Sequence, residues 1–98
     1  MYVGALTLDI LLGDVHSLKQ KRSVVRPLVA ELLRRFPAVA VAETGHLDLH
    51  RRTEVSIAVV SASADNCNEV MDACERLVAF RPEIELLSAR HRIYNDED

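Results

Sequence analysis

The run His46-Leu47-Asp48-Leu49-His50 is the part of this 98-residue chain that most resembles a metal site. On an extended strand, positions 46, 48 and 50 point the same way, with successive members about 6.6–7 Å apart. Two imidazoles and a carboxylate suit zinc or iron. Three ligands in a row on one strand seldom converge on one ion without a bend, however, and no fourth ligand stands nearby. Glu43 or His16 could join only through the fold. Short His/Asp patterns are weak evidence for metal. The plainer reading, a polar hairpin tip, is preferred, and no metal or other cofactor is expected.

Other catalytic arrangements fare no better. A hydrolase needs a positioned nucleophile, a base and an orienting group. Ser17 reads as a helix cap, and Ser61 and Ser63 lack a G-x-S-x-G elbow. Only Gly4, Gly13 and Gly45 occur, too few for a P-loop or a dinucleotide fingerprint. Cys67 and Cys74 stand seven apart, about 10 Å along a helix, which is too far for a disulfide. They read as buried thiols. No catalytic residue is assigned, and a non-enzymatic protein is expected.

The densest positive charge lies in His16–Phe36, HSLKQKRSVVRPLVAELLRRF. Ser17 is an N-cap and Gln20 stands three residues later, the pattern of a capping box. Leu18, Val25, Leu28, Val29, Leu32 and Phe36 form an apolar stripe at helical spacing. Lys19, Arg22 and Arg26 fall beside it. Cations in the first turns oppose the helix dipole, at about 0.3–1 kcal/mol each when exposed. An anion docked there would relieve the conflict. A solvated basic face partly neutralised by Asp14 or Glu31 is the competing reading. The candidate nucleic-acid or anion-binding residues are His16, Ser17, Lys19, Lys21, Arg22 and Arg26, joined by Arg51 and Arg52 from the hairpin.

These residues must be positioned by a small fold. Alternation in Tyr2–Leu12 predicts a first strand with Leu6, Leu8, Ile10 and Leu12 facing the helices. The Ser17 helix follows, with Pro27 expected to kink it or to restart it as a second segment. Ala38 to about His46 and Thr53–Ala62 predict two strands joined by a longer loop or a bulge. Ser63 or Asp65 caps a second helix with Cys67, Val70, Met71, Cys74, Leu77 and Val78 as its stripe. Phe36 and Phe80 are expected to face the core. Glu83–Tyr94 is the last strand, with Arg90 and Arg92 opposite His91 and Ile93. The acidic tail 95–98 is expected to fray. The order is that of an α+β, ferredoxin-like βαββαβ domain spanning residues 1–98. It has a four-stranded antiparallel sheet with two helices on one face.

Composition narrows the function classes. The formal net charge of −3 excludes a general polycation, so any nucleic-acid site is a local patch. Four aromatics leave almost no platform for stacking bases on the sheet. Recognition of RNA would therefore go through its backbone and shape. No leader and no apolar run of about 18 residues is read, which predicts a cytoplasmic protein without membrane contact. The uncovered sheet face, with Val3, Ala5, Thr7, Asp9 and Leu11, is small and fairly apolar. A homodimer through sheet faces or edges is expected.

Two stretches carry a resemblance. His16-Ser-Leu-Lys-Gln-Lys-Arg22 with Val24-Val25-Arg26, and Ala42-Glu43-Thr-Gly-His46-Leu-Asp48-Leu49-His-Arg-Arg52, resemble the YlxP-like proteins, small bacterial proteins of unknown function. The first motif is the more specific. The resemblance covers essentially the whole chain and implies a ferredoxin-like fold with an undefined activity. Members are often encoded beside ribosome-maturation and translation-initiation factors, which implies a role near RNA or the ribosome. This chain departs from the pattern at Leu47 and Arg51, where glutamine is usual, at His50, where tryptophan is usual, and at Pro27.

The leading expectation is a small binding protein that contacts structured RNA or a ribosomal particle through the basic helix start. A homodimeric structural or regulatory module that binds a protein or small anion is the alternative. A metal-dependent enzyme using His46, Asp48 and His50 is the third reading.

Overall fold

The computed structural model describes residues 1–97. It contains β1 (Tyr2–Leu12), α1 (Leu18–Arg35), β2 (Val39–Gly45), β3 (Arg52–Ser61), α2 (Ala64–Ala79) and β4 (Ile84–Asn95). The strands form one sheet in the order β2-β3-β1-β4, and every neighbouring pair is antiparallel. This is the expected ferredoxin-like arrangement.

Period-two patterning decides which face is covered. Leu6, Leu8, Ile10 and Leu12 of β1 and Val55, Ile57 and Val59 of β3 are buried. They join Val25, Leu28 and Leu32 of α1 and Cys67, Met71, Cys74 and Val78 of α2 in one core. The alternate residues Val3, Ala5, Thr7, Asp9 and Leu11 stay partly exposed on the opposite face. Each fully buried leucine or isoleucine contributes about 1.5–3 kcal/mol relative to exposure. Gly4 lets α2 approach β1. A Cβ there would lie 3.0 Å from Val59 Cγ1 and 3.2 Å from both Cys67 Cβ and Met71 Cε.

Several local expectations are corrected. Pro27 does not start a second segment, because Leu18–Arg35 is one helix. The ring lies on the exposed side, where the carbonyl it leaves without a partner can be met by water. Leu18 is 41% exposed and lines the groove between α1 and the hairpin rather than the core. Phe80 is 82% exposed rather than in the core. It caps the C-terminus of α2, two residues past Val78, and so points away from the Cys67–Met71–Cys74–Val78 stripe. Phe36 does pack against the core. The tail is held where fraying is expected. Asn95 pairs with Tyr2, the Met1 ammonium lies 3.0 Å from Asp96, and the Asp96 N–H donates to the Met1 carbonyl at 3.3 Å. Asp98 lies outside the described residues.

A register shift in β4 opposite Asp9–Ile10 inserts Leu87 between the pairs Asp9–Ser88 and Ile10–Leu86. A second shift between Glu43 and Gly45 ends β2, in keeping with the irregular hairpin read from the sequence. Among the described residues, no helix is long and apolar enough to cross a membrane.

Candidate nucleic-acid interface

α1 begins as its sequence dictates, with one variation. Ser17 is extended, and its hydroxyl accepts the Gln20 N–H at 3.1 Å. The Gln20 side chain reaches past the cap and accepts the His16 N–H at 2.6 Å. His16 Nε2 lies 2.5 Å from Asp14, and both side chains are exposed. No acidic residue stands in the first turn of α1.

Lys21 belongs to the interior. It is 3% exposed, and its ammonium has three partners at 2.8 Å: the carbonyls of His46 and Leu49 and a carboxylate oxygen of Glu43. Two of its N–H donors go to the carbonyls, and the Glu43 carboxylate balances its charge. The Thr53 hydroxyl donates to the same Glu43 oxygen at 2.7 Å. One helical cation therefore fixes the β2–β3 loop against α1.

The far side of the loop is tied by a second group. Arg52 donates twice to Asp9 of β1, at 2.8 and 2.7 Å. His46 Nε2 lies 3.4 Å from the same carboxylate. The Arg52 hydrogen bonds hold the Asp9 carboxyl below its ordinary value of 3.8, against the opposing effect of burial, with His46 adding a smaller pull. His46 adopts φ 57°, in the left-handed region. Its carbonyl accepts the Leu49 N–H at 3.1 Å, so residues 46–49 form a turn.

That turn removes the basis of the metal candidate. β2 ends at Gly45, so residues 46, 48 and 50 do not alternate on a strand. His46 turns to Asp9, while Asp48 and His50 are exposed. Among the described residues, no group of three or more His, Cys, Asp or Glu side chains is placed to hold an ion.

Lys19, Arg22 and Arg26 are different. All three are exposed, and among the described residues none has a carboxylate within 4 Å. The two acidic residues that could have neutralised them are engaged elsewhere. Asp14 pairs with His16, and Glu31 lies 3.2–3.7 Å from Arg34, Arg35 and Arg81. The three cations line a shallow depression of about 540 Å³ with Ser23 and Pro27. On the other flank of Arg22 and Arg26, a groove of about 240 Å³ runs between α1 and the hairpin. Its walls include Leu18, Val25, Glu43 and Leu47. Arg51 is exposed at the end of the loop, where its carbonyl accepts the Leu12 N–H.

The sequence-level site residues thus divide. Lys19, Arg22, Arg26 and Arg51 present charge to solvent. Ser17 is a cap, and Lys21 and Arg52 are spent on internal carboxylates. Asp9, Glu43 and Thr53 were missed as their partners, and their best signal is that Glu43 and Arg52 share one motif.

The comparisons agree with this architecture. The family model described as "Protein of unknown function (DUF503)" matches residues 3–91. The uncharacterized protein YlxP of Bacillus subtilis (strain 168) is 29% identical over 83 residues, covering 85% of this chain and 89% of that protein. The designed ferredoxin-fold protein LFR1 1 superposes with a TM-score of 0.51 at 12% identity, over 98% of this chain and 88% of the design, a likeness of fold alone. A mutant of SnoaB, a cofactor-independent oxygenase from Streptomyces nogalater, gives a TM-score of 0.46 at 12% identity over 99% and 94% of the two chains, too distant to bear on activity. With the family model spanning most of its length, the chain belongs to the YlxP-like DUF503 family of proteins of unknown function.

Proposed function

We propose that this protein is a small binding module that contacts structured RNA or a ribonucleoprotein such as a ribosomal particle through Lys19, Arg22 and Arg26. The observation that carries this reading is that three cations without a carboxylate within 4 Å among the described residues line one depression at the start of a helix, whereas Arg51, Arg76, Arg90 and Arg92, which also lack one, stand elsewhere. Lys21, Arg34, Arg35, Arg52 and Arg81 all have carboxylates within 4 Å. Lys19, Arg22 and Arg26 share one side of the first turns of a helix whose dipole already favours an anion. Phosphates held there relieve repulsion among the three cations and release counterions.

The contact is to backbone and shape. Phe36 packs on the core, and the open sheet face carries Ala5, Ala40, Ala42 and Ala58 where a stacking protein needs aromatics. Arg51 extends the positive surface at the hairpin. Co-sedimentation with ribosomal particles tests the reading. Joint reversal of Lys19→Glu, Arg22→Glu and Arg26→Glu is expected to abolish association, and unchanged association excludes the reading.

A further inference from the structure

The sheet has two edges that differ in kind. β4 carries Glu85, Arg90, His91 and Arg92 and is broken by the irregularity at Leu87. Charge and bulges are the usual protection of an edge strand against pairing with another chain. β2 has neither over its first part. Val39-Ala40-Val41-Ala42 contains no charged residue, and the register with β3 is regular from Val39 to Glu43.

The direction of the free groups follows from the ladder. The Leu12 N–H donates to the Arg51 carbonyl at 2.8 Å, continuing the β1–β3 register. Hydrogen-bonded pairs alternate along an antiparallel ladder. Odd-numbered residues of β3 therefore bond to β1 and even-numbered ones to β2. Ala40, opposite Ala58, turns its backbone groups inward. Val41 turns its N–H and C=O to the open edge. The Val39 N–H is used by the Phe36 carbonyl at 3.1 Å, which leaves its own carbonyl facing outward.

We infer that β2 pairs with β2 of a second copy of this chain, antiparallel about a two-fold axis at Ala40, to make one continuous eight-stranded sheet. Val39-Ala40-Val41 reads the same in both directions, so this register is self-complementary. Val39 meets Val41 and Ala40 meets Ala40. The Val41 N–H donates to the Val39 carbonyl of the other copy, and the valines meet on the helix side. The Ala40 pair is a non-hydrogen-bonded one, with Cα atoms about 4.5 Å apart, a spacing that small side chains suit. α1 lies over β2 with Lys21 bonded near Glu43. The axis at Ala40 therefore puts two Lys19–Arg26 clusters on one particle. The inference does not depend on what those clusters bind.

Sedimentation equilibrium across a concentration series is the test. The wild-type chain is expected at twice its 11.0 kDa mass. Ala40→Glu and Ala40→Lys, on an exposed position, are each expected at the single-chain mass with an unchanged circular dichroism spectrum. Mixing the two is expected to restore the doubled mass. Val41→Pro deletes an outward N–H, which an edge strand tolerates, at the cost of some packing on the helix side, and is expected to be a folded monomer. A wild-type chain of 11.0 kDa throughout, or a dimer indifferent to all three substitutions, overturns the inference. A monomer that still binds RNA would overturn it while leaving the proposed function standing.

Discussion

The ammonium of Lys21 sits 2.8 Å from a carboxylate oxygen of Glu43 and closes a bond between the first helix and the edge strand β2. The pair is not a surface salt bridge, since Lys21 is buried and its ammonium also donates to two loop carbonyls. Removing the ammonium leaves Glu43 and two carbonyls short of a partner. Lys21→Met is therefore expected to cost about 2–4 kcal/mol. Urea denaturation measures it. Lys21→Met combined with Glu43→Gln is expected to cost less than the sum of the two single changes, because the second change removes the stranded charge.

Asp9 makes stability depend on acid. Its folded pKa lies below the ordinary value because of Arg52, so the pairing stabilises the fold above that value and is lost as pH falls through the folded value. The stability difference between wild type and Asp9→Asn should be constant from about pH 5 to 7 and shrink below about pH 4. Thermal denaturation at a series of pH values checks the sign. A difference that grows on acidification contradicts it.

Gly4 faces α2, and a methyl group there would force its neighbours to shift by a few tenths of an ångström. The atoms in the way belong to Val59, Cys67 and Met71. Gly4→Ala is expected to destabilise the fold by about 1–3 kcal/mol, the usual cost of overpacking. Equilibrium unfolding reports it.

The two thiols should be silent in the native protein. Both are buried, and burial pushes the Cys74 thiol up to about 11. Thiolate is the reactive form. Labelling with an aromatic disulfide reagent should be negligible in buffer and reach both cysteines in denaturant, at a rate that follows unfolding.

The fold was legible where one physical rule acted alone. Alternation placed Leu6, Leu8, Ile10 and Leu12 on the covered face, and Ser17 with Gln20 placed the start of α1. Rules failed where a local pattern met a tertiary constraint. Phe80 reads as a continuation of the α2 stripe, yet the helix ends just before it. The His46–His50 alternation presumes a strand, but the positive φ of His46 has already turned the chain. Lys21 looks like Lys19 and Arg22 in a sequence. Only the fold brings Glu43 and the hairpin carbonyls to it, and that contact separates a structural cation from those left at the surface.

On the proposed function, Lys19, Arg22 and Arg26 make an electrostatic contact with phosphates. The most direct measurement is affinity for a structured RNA across a salt series, for wild type and for the Lys19→Glu/Arg22→Glu/Arg26→Glu variant. Arg90→Glu/Arg92→Glu on the last strand serves as a control for charge reversal elsewhere on the surface. A log–log slope of roughly −2 to −3 is predicted for wild type, as expected for about three phosphate contacts. The helix variant should lose binding, and the control should bind nearly as wild type does. Binding that ignores salt, or that both variants weaken equally, would contradict a localised site at the start of α1.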